Sequence, residues 1–338
     1  MLNETFVKAL LNLSNASWTV EMTGVLMAFA MLVCFAGLSN LEMRFPKIKR
    51  PAEQTHQSYR INIGMFVFNS ILLSACSIST LYVIAQQYSG FGLLNYVSSP
   101  AIKAVLAFLA FDLLLYLWHL VCHRVDAFWM FHRVHHNDPY LNVSTAFRLH
   151  FVEVLITNSL KALLIILLGI DKTLVLAIET IITLCILFHH ANIGFRFERI
   201  LGQIMIVPSL HRVHHSVERS EHDSNYGATL SLWDRLFGTL SELEPAKIGI
   251  NGRSPQDLFN LVKFGLGLGI PAPIRPTNLD VMIAEAAYYK AEKRNFRPGD
   301  DMRDWLEAKA EILNQVYGKN SHQGQSHSNW WNGFLPNF

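Results

Sequence analysis

The segment that decides the fold begins HLVCHRVDAFWMFHRVHH at His119–His136 and ends HRVHH at His211–His215. Between these ends lie a lone His150 and the pair His189-His190, so that 11 of the 15 histidines fall in residues 119–215. Residues three or four apart share one face of a helix, and each five-residue box can therefore present two or three imidazoles to one point. This is the spacing of metal ligands.

The number of clustered histidines predicts two metal ions rather than one. Imidazole suits zinc, copper, iron and nickel, and eight or more convergent histidines exceed what a single ion can coordinate. The isolated histidines are interpreted differently, because a lone histidine is most often a surface residue or a hydrogen-bonded core residue. This second group comprises His56, His222, His322 and His327.

The composition predicts an all-α, polytopic membrane bundle. Hydrophobic residues make up 51% of the 338 residues and charged residues only 16%, which is too apolar for an ordinary soluble protein. The net charge of +2 gives no sign of nucleic-acid binding. The four cysteines lie in or beside apolar runs and form no zinc motif.

Apolar runs predict about four to five membrane spans, at residues 17–39, 61–86 and 101–121 and in a helical hairpin over 151–189. Basic residues concentrate between the first two spans, and the positive-inside rule makes that loop cytoplasmic. If the membrane crossings are followed from this loop along the chain, every histidine cluster lies on the cytoplasmic side. The sequence therefore predicts an integral multi-pass protein of a bacterial inner membrane or of the endoplasmic reticulum.

Three regions are expected along the chain: N-terminal spans at 1–100, the histidine-bearing region at 101–243, and cytoplasmic or interfacial helices with a tail at 244–338. Residues 225–239 are aromatic-rich and are interpreted as part of a cytoplasmic cap. Residues 258–270 are apolar but too short to span, with a helix start predicted at Ser254-Pro255. Two polar helices are predicted at about 278–294 and 300–317.

Two predicted spans carry acidic residues on the same helix face as clustered histidines. Asp112 and Tyr116 precede His119 at helical spacing, and Glu179 precedes His190. An ionisable residue inside a membrane is a functional candidate, and carboxylates commonly orient metal-bound histidines. A hydrogen bond that holds two spans together is an equally weighted interpretation.

The residue pattern favours oxygen activation over two other metal chemistries. Zinc hydrolysis would require a general-base glutamate in a His-Glu-X-X-His arrangement, which neither HLVCH nor HRVHH supplies. Metal sensing or storage would not require a site that faces lipid. Attack on an unactivated C–H bond does require a redox metal, because side chains cannot provide the oxidant.

Seven motifs, in order and spacing, resemble the fatty acid hydroxylase/sterol desaturase superfamily over roughly residues 105–240. They are HLVCH, HRVHH, STAFRLH (144–150), FHHAN (188–192), the second HRVHH, NYG (225–227) and WDRLFGT (233–239). The resemblance implies an oxidoreductase of lipid biosynthesis, a monooxygenase-type enzyme that contains two non-haem iron ions and uses O2. Its substrate would be a sterol, a fatty acyl chain or a related lipid, which it hydroxylates or desaturates.

Carried over by position, the resemblance implies a metal-ligand set of His119, His123, His132, His135, His136, His190, His211, His214 and His215. His150 and His189 are set apart from this group. Phe151 follows His150 where relatives often have Pro, and His190 matches the intermediate histidine of the family better than His189 does. The candidates for residues that support the ligands are Asp112, Tyr116, Glu179, Asn192 and Asp234.

The implied reaction removes hydrogen from a lipid carbon. Return of oxygen then gives a hydroxylated lipid, whereas loss of a second hydrogen gives a double bond. The cofactors expected are two Fe ions, which zinc can replace in purified protein, with O2 as cosubstrate. The chain shows no dinucleotide-binding, haem-attachment or iron–sulfur motif, so a separate electron donor is expected, such as a cytochrome b5-like protein, a ferredoxin or a reductase.

Two alternatives remain at this stage. An inert, zinc-holding lipid-binding membrane protein would contain metal but consume no oxygen. An aldehyde-processing or alkane-forming relative would release a shortened hydrocarbon.

Overall fold

The computed structural model describes residues 4–75, 80–250, 254–268 and 279–317. These residues form an all-α fold without strands, as predicted. The helices are α1 (Glu4–Arg44), α2 (Ala52–Ala75), α3 (Leu81–Tyr88), α4 (Pro100–Arg124), α5 (Asp126–His136), α6 (Phe151–Leu168), α7 (Lys172–His190), α8 (Glu198–Leu201), α9 (Pro208–His214), α10 (Arg219–His222), α11 (Leu232–Phe237), α12 (Leu258–Gly265), α13 (Leu279–Lys293) and α14 (Asp301–Tyr317). The predicted tail, with His322 and His327, lies outside the described residues.

Four of the described helices are long and apolar enough to cross a membrane: Gly24–Arg44 within α1, and α4, α6 and α7. The protein is therefore a multi-pass membrane protein. The predicted hairpin is confirmed as α6 and α7, which are joined at Gly169. This residue has φ +68°, and a Cβ there would lie 1.9 Å from the carbonyl oxygen of Phe91, so only glycine fits the turn.

The predicted span at 61–86 was wrong in its bounds. The chain there forms α2, which begins at Ala52, and α3, with residues 76–79 not described between them. Neither helix is among the four apolar spans. The helix α3 has only eight residues, too few to cross a membrane. The helix α2 carries a polar row, Ser58, Asn62 and Asn69, that is buried against protein. Asn69 donates to the carbonyl of Leu149 at 2.8 Å.

A buried polar network fixes α2 against the segment that follows α5. Asp138 accepts hydrogen bonds from Ser58 (2.7 Å), Asn62 (2.8 Å) and Thr145 (2.7 Å). Burial alone would raise the pKa of Asp138, but the Arg148 guanidinium and these donors bring it below its ordinary value. Arg148, itself buried, donates to Asn62 Oδ1 at 3.1 Å. The network stabilises the segment that connects α5 to α6.

The short apolar helix predicted at 258–270 is confirmed as α12. It begins at Leu258, with Asp257 rather than Ser254 as its N-cap. Arg133 of α5 donates to the carbonyl of Phe264 at 2.5 Å, and its guanidinium lies 4.0 Å from the centre of the Phe264 ring. The helix therefore packs on the outer side of the first HRVHH box.

The helices α13 and α14 form a second compact unit, separate from the one that contains α1–α12. They lie at the positions predicted for two polar helices. Ile283, Ala308 and Ile312 form the core between them. Arg294 also pairs with Asp304 at 2.6 Å.

Candidate metal centre

Four helices deliver the predicted ligands to one region at the ends of the spans. His119 and His123 lie in the last turns of α4, and a single residue, Val125, separates α4 from α5. The first HRVHH box forms the C-terminal half of α5, and the second lies on α9, which begins at Pro208. His190 is the last residue of α7. Each group of histidines lies at the C-terminal end of an apolar or amphipathic helix, and these helix ends converge.

The nine histidines predicted as ligands lie in two clusters, within each of which the ring nitrogens are no more than 4.8 Å apart. The larger cluster, here called the five-histidine cluster, contains His119, His123, His132, His136 and His214. The smaller, the four-histidine cluster, contains His135, His190, His211 and His215. All except the half-buried His119 are buried.

Both HRVHH boxes contribute to both clusters, which makes the clusters neighbours. On α5, His135 points to the four-histidine cluster, whereas its neighbours His132 and His136 belong to the larger one. The rings of His136 and His215, one from each cluster, stack with centres 4.5 Å apart. The two boxes, distant in sequence, therefore form one paired site.

Backbone carbonyls fix the orientation of three imidazoles. The Nδ1 atoms lie 2.8 Å from Tyr226 O for His119, 2.7 Å from Ser224 O for His214, and 2.8 Å from Ile186 O for His190. A carbonyl only accepts hydrogen bonds, so each Nδ1 carries the proton and each Nε2 presents a lone pair. These lone pairs are directed into the clusters.

Carboxylates orient two further imidazoles. Glu153 Oε1 lies 2.7 Å from His132 Nδ1, and Asp223 Oδ1 lies 3.3 Å from His123 Nδ1. Carboxylates in this position hold a histidine in one tautomer and increase its basicity as a ligand. Neither residue was predicted from the sequence. Glu153 lies on a different helix from His132, and 100 residues separate His123 from Asp223, so no periodic pattern connects them.

The unpaired nitrogens show that the site fits metal cations. The Nε2 atoms of His119 and His132 are 3.0 Å apart, and His190 Nε2 is 3.1 Å from His135 Nε2 and 3.0 Å from His211 Nε2. Two nitrogens that bind one ion at about 2.1 Å lie no more than about 4.2 Å apart, so each of these pairs could bind a shared ion.

The remaining imidazole atoms are consistent with metal binding. His123 Nε2, His214 Nε2 and both ring nitrogens of His136 are buried without a hydrogen-bond partner. Burial, followed by the positive charge that neighbouring imidazoles would carry, holds the pKa of His135, His136 and His214 well below the ordinary value. His211 and His215 have lowered pKa values for the same reasons. These imidazoles are neutral at physiological pH, which is the form that binds metals.

The comparison with protein families agrees with this geometry. Residues 104–239 match the family model described as fatty acid hydroxylase. This matched region, which contains all nine clustered histidines, is similar to the fatty acid hydroxylase family. This confirms the resemblance predicted from the ordered boxes. A second family model, described as a protein of unknown function (DUF2934), matches residues 279–314, which contain α13 and most of α14.

Relatives of the hydroxylase region include two kinds of lipid enzyme. The chain is 33% identical over 156 residues to ornithine lipid hydroxylase OlsE of Rhizobium tropici, covering 45% of this chain and 47% of that protein. It is 34% identical over 142 residues to alkylglycerol monooxygenase of Danio rerio, covering 40% of this chain and 30% of that protein. The Homo sapiens alkylglycerol monooxygenase is 32% identical over 160 residues, 46% of this chain and 34% of that protein. The matches thus span less than half of each relative. No solved structure matches the chain.

Asp112 and Glu179, two of the residues predicted to support the histidine ligands, form their hydrogen bonds with other residues. Asp112 accepts hydrogen bonds from Thr229 N (2.9 Å), Leu230 N (3.1 Å) and Trp233 Nε1 (2.9 Å). Glu179 pairs with Lys161 of α6 at 2.9 Å. The contact of Glu179 joins two spans, as in the alternative interpretation, whereas Asp112 bonds to residues outside the spans.

Two of the other three candidates, Asp234 and Asn192, bond to backbone groups, and the third, Tyr116, bonds to a side chain. Asp234 accepts hydrogen bonds from the backbone N–H groups of Tyr226 and Gly227, both at 2.8 Å, and so holds the loop whose Tyr226 carbonyl orients His119. A Cβ at Gly227 would meet Asp234 Oδ2 at 2.9 Å, so the close approach favours glycine. Tyr116 OH lies 3.0 Å from Thr239 Oγ1. Asn192 bonds to both backbone groups of Ile48 and ties the end of α7 to the residues after α1.

Three histidines of the hydroxylase region lie outside the two clusters. His150 caps α6, accepting from Val152 N through Nδ1 at 3.3 Å and donating from Nε2 to Val262 O at 3.2 Å. His189 contacts the four-histidine cluster, with its ring centre 4.0 Å from that of His211. His222 is a hydrogen-bonded buried residue, one of the two kinds predicted for it. It donates to Ser216 O at 3.0 Å and stacks on Trp129 beside the five-histidine cluster.

Proposed function

We propose that this protein is a membrane-bound, O2-dependent lipid hydroxylase in which each histidine cluster holds one iron ion. The observation that carries the proposal is the convergence of nine imidazoles into two adjacent clusters whose nearest nitrogens are 3.0 to 3.1 Å apart. The supporting family match covers residues 104–239. We accordingly assign catalysis to the region 101–243.

The donor set fits iron. Neutral imidazoles suit iron. One ion would be held by His119, His123, His132, His136 and His214, and the other by His135, His190, His211 and His215. When bound and reduced, the iron ions would supply O2 activation, the oxidising chemistry that no side chain can provide. Zinc in purified protein would occupy the same atoms without that chemistry.

The residues of the chain itself perform three tasks in this proposal. The carbonyls of Tyr226, Ser224 and Ile186 keep each Nδ1 protonated, so that Nε2 remains available to the metal. The carboxylates of Glu153 and Asp223 accept from Nδ1 of His132 and His123 in the same way, which leaves Nε2 of both rings available to the metal. Burial of eight of the nine imidazoles keeps bulk water from the reacting carbon.

We assign hydroxylation rather than desaturation, since the relatives described above are a lipid hydroxylase and a monooxygenase. A lipid substrate is also consistent with a site at the ends of two membrane spans, α4 and α7. The clusters are assigned to the cytoplasmic side, where the loop that contains Arg44, Lys47 and Arg50 satisfies the positive-inside rule. Electrons would come from a separate donor protein on that side.

The decisive experiment is untargeted lipid profiling of cells that produce the wild-type protein or the His135→Ala, His214→Ala double variant, in a host that supplies donors and lipids. The double variant removes one imidazole from each cluster. A hydroxylated lipid should be present only with the wild-type protein. His56→Ala, which alters an exposed histidine, is the matched control and should retain the product.

Other outcomes would favour other functions. An unchanged lipid profile, with metal bound but no oxygen consumed, would favour the inert lipid-binding protein. A shortened hydrocarbon would favour the aldehyde-processing alternative, and a new double bond would favour desaturation. Turnover of lipid with NADH alone would contradict the separate electron donor.

A further inference from the structure

Two short segments beside the five-histidine cluster expose large apolar side chains. We call residues 197–206 and 229–237 together the collar. Phe197, Ile200, Ile204, Leu232, Leu236 and Phe237 are between 47% and 68% exposed. An exposed apolar surface of this kind on a folded protein marks an interaction with another protein or with a membrane.

The two segments of the collar form one continuous surface. Ile206 N donates to Thr229 O at 2.8 Å, and Ser231 N donates to Ile204 O at 3.1 Å. The Ser231 hydroxyl also donates to Gly202 O at 2.9 Å. The exposed side chains of α8 and α11 therefore belong to a single patch, and these backbone groups are satisfied within the collar.

The collar lies against the middle of a membrane span rather than beyond its end. Asp112 holds Thr229, Leu230 and Trp233, and Phe237 stacks on Tyr116 with ring centres 5.3 Å apart. Asp112 precedes His119 by seven residues on α4. At 1.5 Å per residue, the collar reaches about 10 Å from the level of the histidines toward the opposite end of the span.

We infer that the collar is immersed in the leaflet next to the histidine clusters, with the acyl chains of the bilayer as its partner. The span against which the collar lies also exposes apolar side chains, among them Leu106 and Leu117, each 42% exposed. A depth of about 10 Å is typical of helices that lie in the membrane interface. Because lipid offers no hydrogen bonds, the collar also requires the satisfied backbone described above.

Charged residues at the edge of the patch agree with this position. Arg196 and Arg199 are exposed beside the apolar side chains, whereas Arg235 donates to Gly202 O at 3.1 Å within the collar. Arginine extends its charged group toward phosphates and water while its stem remains among apolar atoms. Residues 225–239 are thus a membrane-embedded part of the site rather than the cytoplasmic cap that their sequence indicated, and a lipid in this leaflet lies beside the five-histidine cluster.

The inference is tested by the environment of a fluorophore attached to the full chain in phosphatidylcholine vesicles. Leu236→Cys and Ile200→Cys carry the label on the collar, and Glu244→Cys carries it at a position whose side chain is 81% exposed outside the collar. Cys34, Cys76 and Cys185 are replaced by alanine in all variants, whereas the buried Cys122 is retained. Metal content per chain reports whether each variant keeps its fold.

Acyl chains brominated near the interface should quench the labels at 200 and 236, and iodide in the water should not. The label at 244 should show the reverse pattern. Quenching of the collar labels by iodide alone would overturn the inference in favour of a water-facing cap. Shielding from both quenchers that disappears when the protein is diluted among the vesicles would overturn it in favour of a second copy of the chain.

Discussion

The imidazole of His132 is held by the carboxylate of Glu153, with 2.7 Å between Nδ1 and Oε1. Both side chains are almost fully buried, and the second carboxylate oxygen of Glu153 has no hydrogen-bond partner. Glu153 lies in the first turn of α6, so a membrane span positions a residue of α5. This contact connects the transmembrane bundle to the five-histidine cluster.

Replacing Glu153 should weaken metal binding without removing a ligand. Loss of a carboxylate that supports a ligating histidine typically costs about 10- to 100-fold in metal affinity. We expect a loss of that size for Glu153→Ala and a smaller loss for Glu153→Gln, whose amide oxygen still accepts from Nδ1. Chelator competition on purified protein measures both, with Glu244→Ala as the exposed control. Equal affinities in all four proteins would contradict a positioning role.

The two clusters should be separable by single substitutions. His135 belongs only to the four-histidine cluster and His214 only to the five-histidine cluster. Each of the variants His135→Ala and His214→Ala should therefore lose one of the two metal ions and retain the other, because the remaining cluster keeps all of its imidazoles. Metal analysis of purified protein measures the stoichiometry, and the spectrum of each variant identifies the retained site. Identical spectra from the two variants would contradict two separate sites.

The grouping of the histidines could be predicted from the sequence because the geometry of each box is local. In each HRVHH box, residues three and four apart share a helix face, and the ordered boxes then identify the family. Asp112 illustrates where this argument fails. It shares a helix face with His119. However, the seven residues between the two positions correspond to about 10 Å along the helix axis, so the two side chains lie at different depths of the span. Asp112 consequently bonds to the collar.

The contacts that orient the ligands could not be predicted because they join distant parts of the chain. Asp223 meets His123 across 100 residues, and the Tyr226 carbonyl meets His119 across 107. The bounds of α2 were missed for a related reason. The polar side chains of α2 can be buried because Asp138 accepts hydrogen bonds from Ser58 and Asn62, and the sequence does not reveal this partner.

His150 should contribute to stability rather than to metal binding. Neutral His150 satisfies both ring nitrogens, at Val152 N and Val262 O. Burial lowers its pKa from the ordinary 6.5 to about 4. The unfolded chain therefore takes up a proton at higher pH than the folded chain does. Protonation of His150 consequently has no effect on stability above pH 6.5 and destabilises the fold progressively as pH falls from 6.5 to about 4.

The variant His150→Asn isolates this effect, because asparagine can still cap the helix but does not titrate. It should retain the full metal content and show a smaller loss of thermal stability between pH 6.5 and pH 4 than the wild-type protein. His56→Asn, at an exposed position, should leave the pH profile unchanged. Loss of a metal ion from His150→Asn would instead make His150 a ligand.

Gly265 should not tolerate a side chain. A Cβ at this position would lie 2.3 Å from His150 Cδ2, and the histidine cannot move without breaking its cap on α6. Gly265→Ala should therefore destabilise the protein by about 1–3 kcal/mol, the usual cost of overpacking. Thermal unfolding in vesicles measures the effect. Gly37→Ala, where no atom lies within 4 Å of the added Cβ, is the matched control.

Asp112→Ala should detach the collar from α4. The substitution leaves Thr229 N, Leu230 N and Trp233 Nε1 without their acceptor, and an unsatisfied buried donor costs about 1–3 kcal/mol. Asp112→Asn should be milder, since one amide oxygen still accepts from part of this set. The unfolding temperature in vesicles should fall from the wild-type protein to Asp112→Asn and further to Asp112→Ala. The exposed Asp280→Ala is the control. Because the same loop carries the Tyr226 carbonyl to His119, metal affinity should fall in that order as well. An Asp112→Ala protein with unchanged stability and metal affinity would show that the loop is held by its other contacts, among them those of Asp234 with Tyr226 and Gly227.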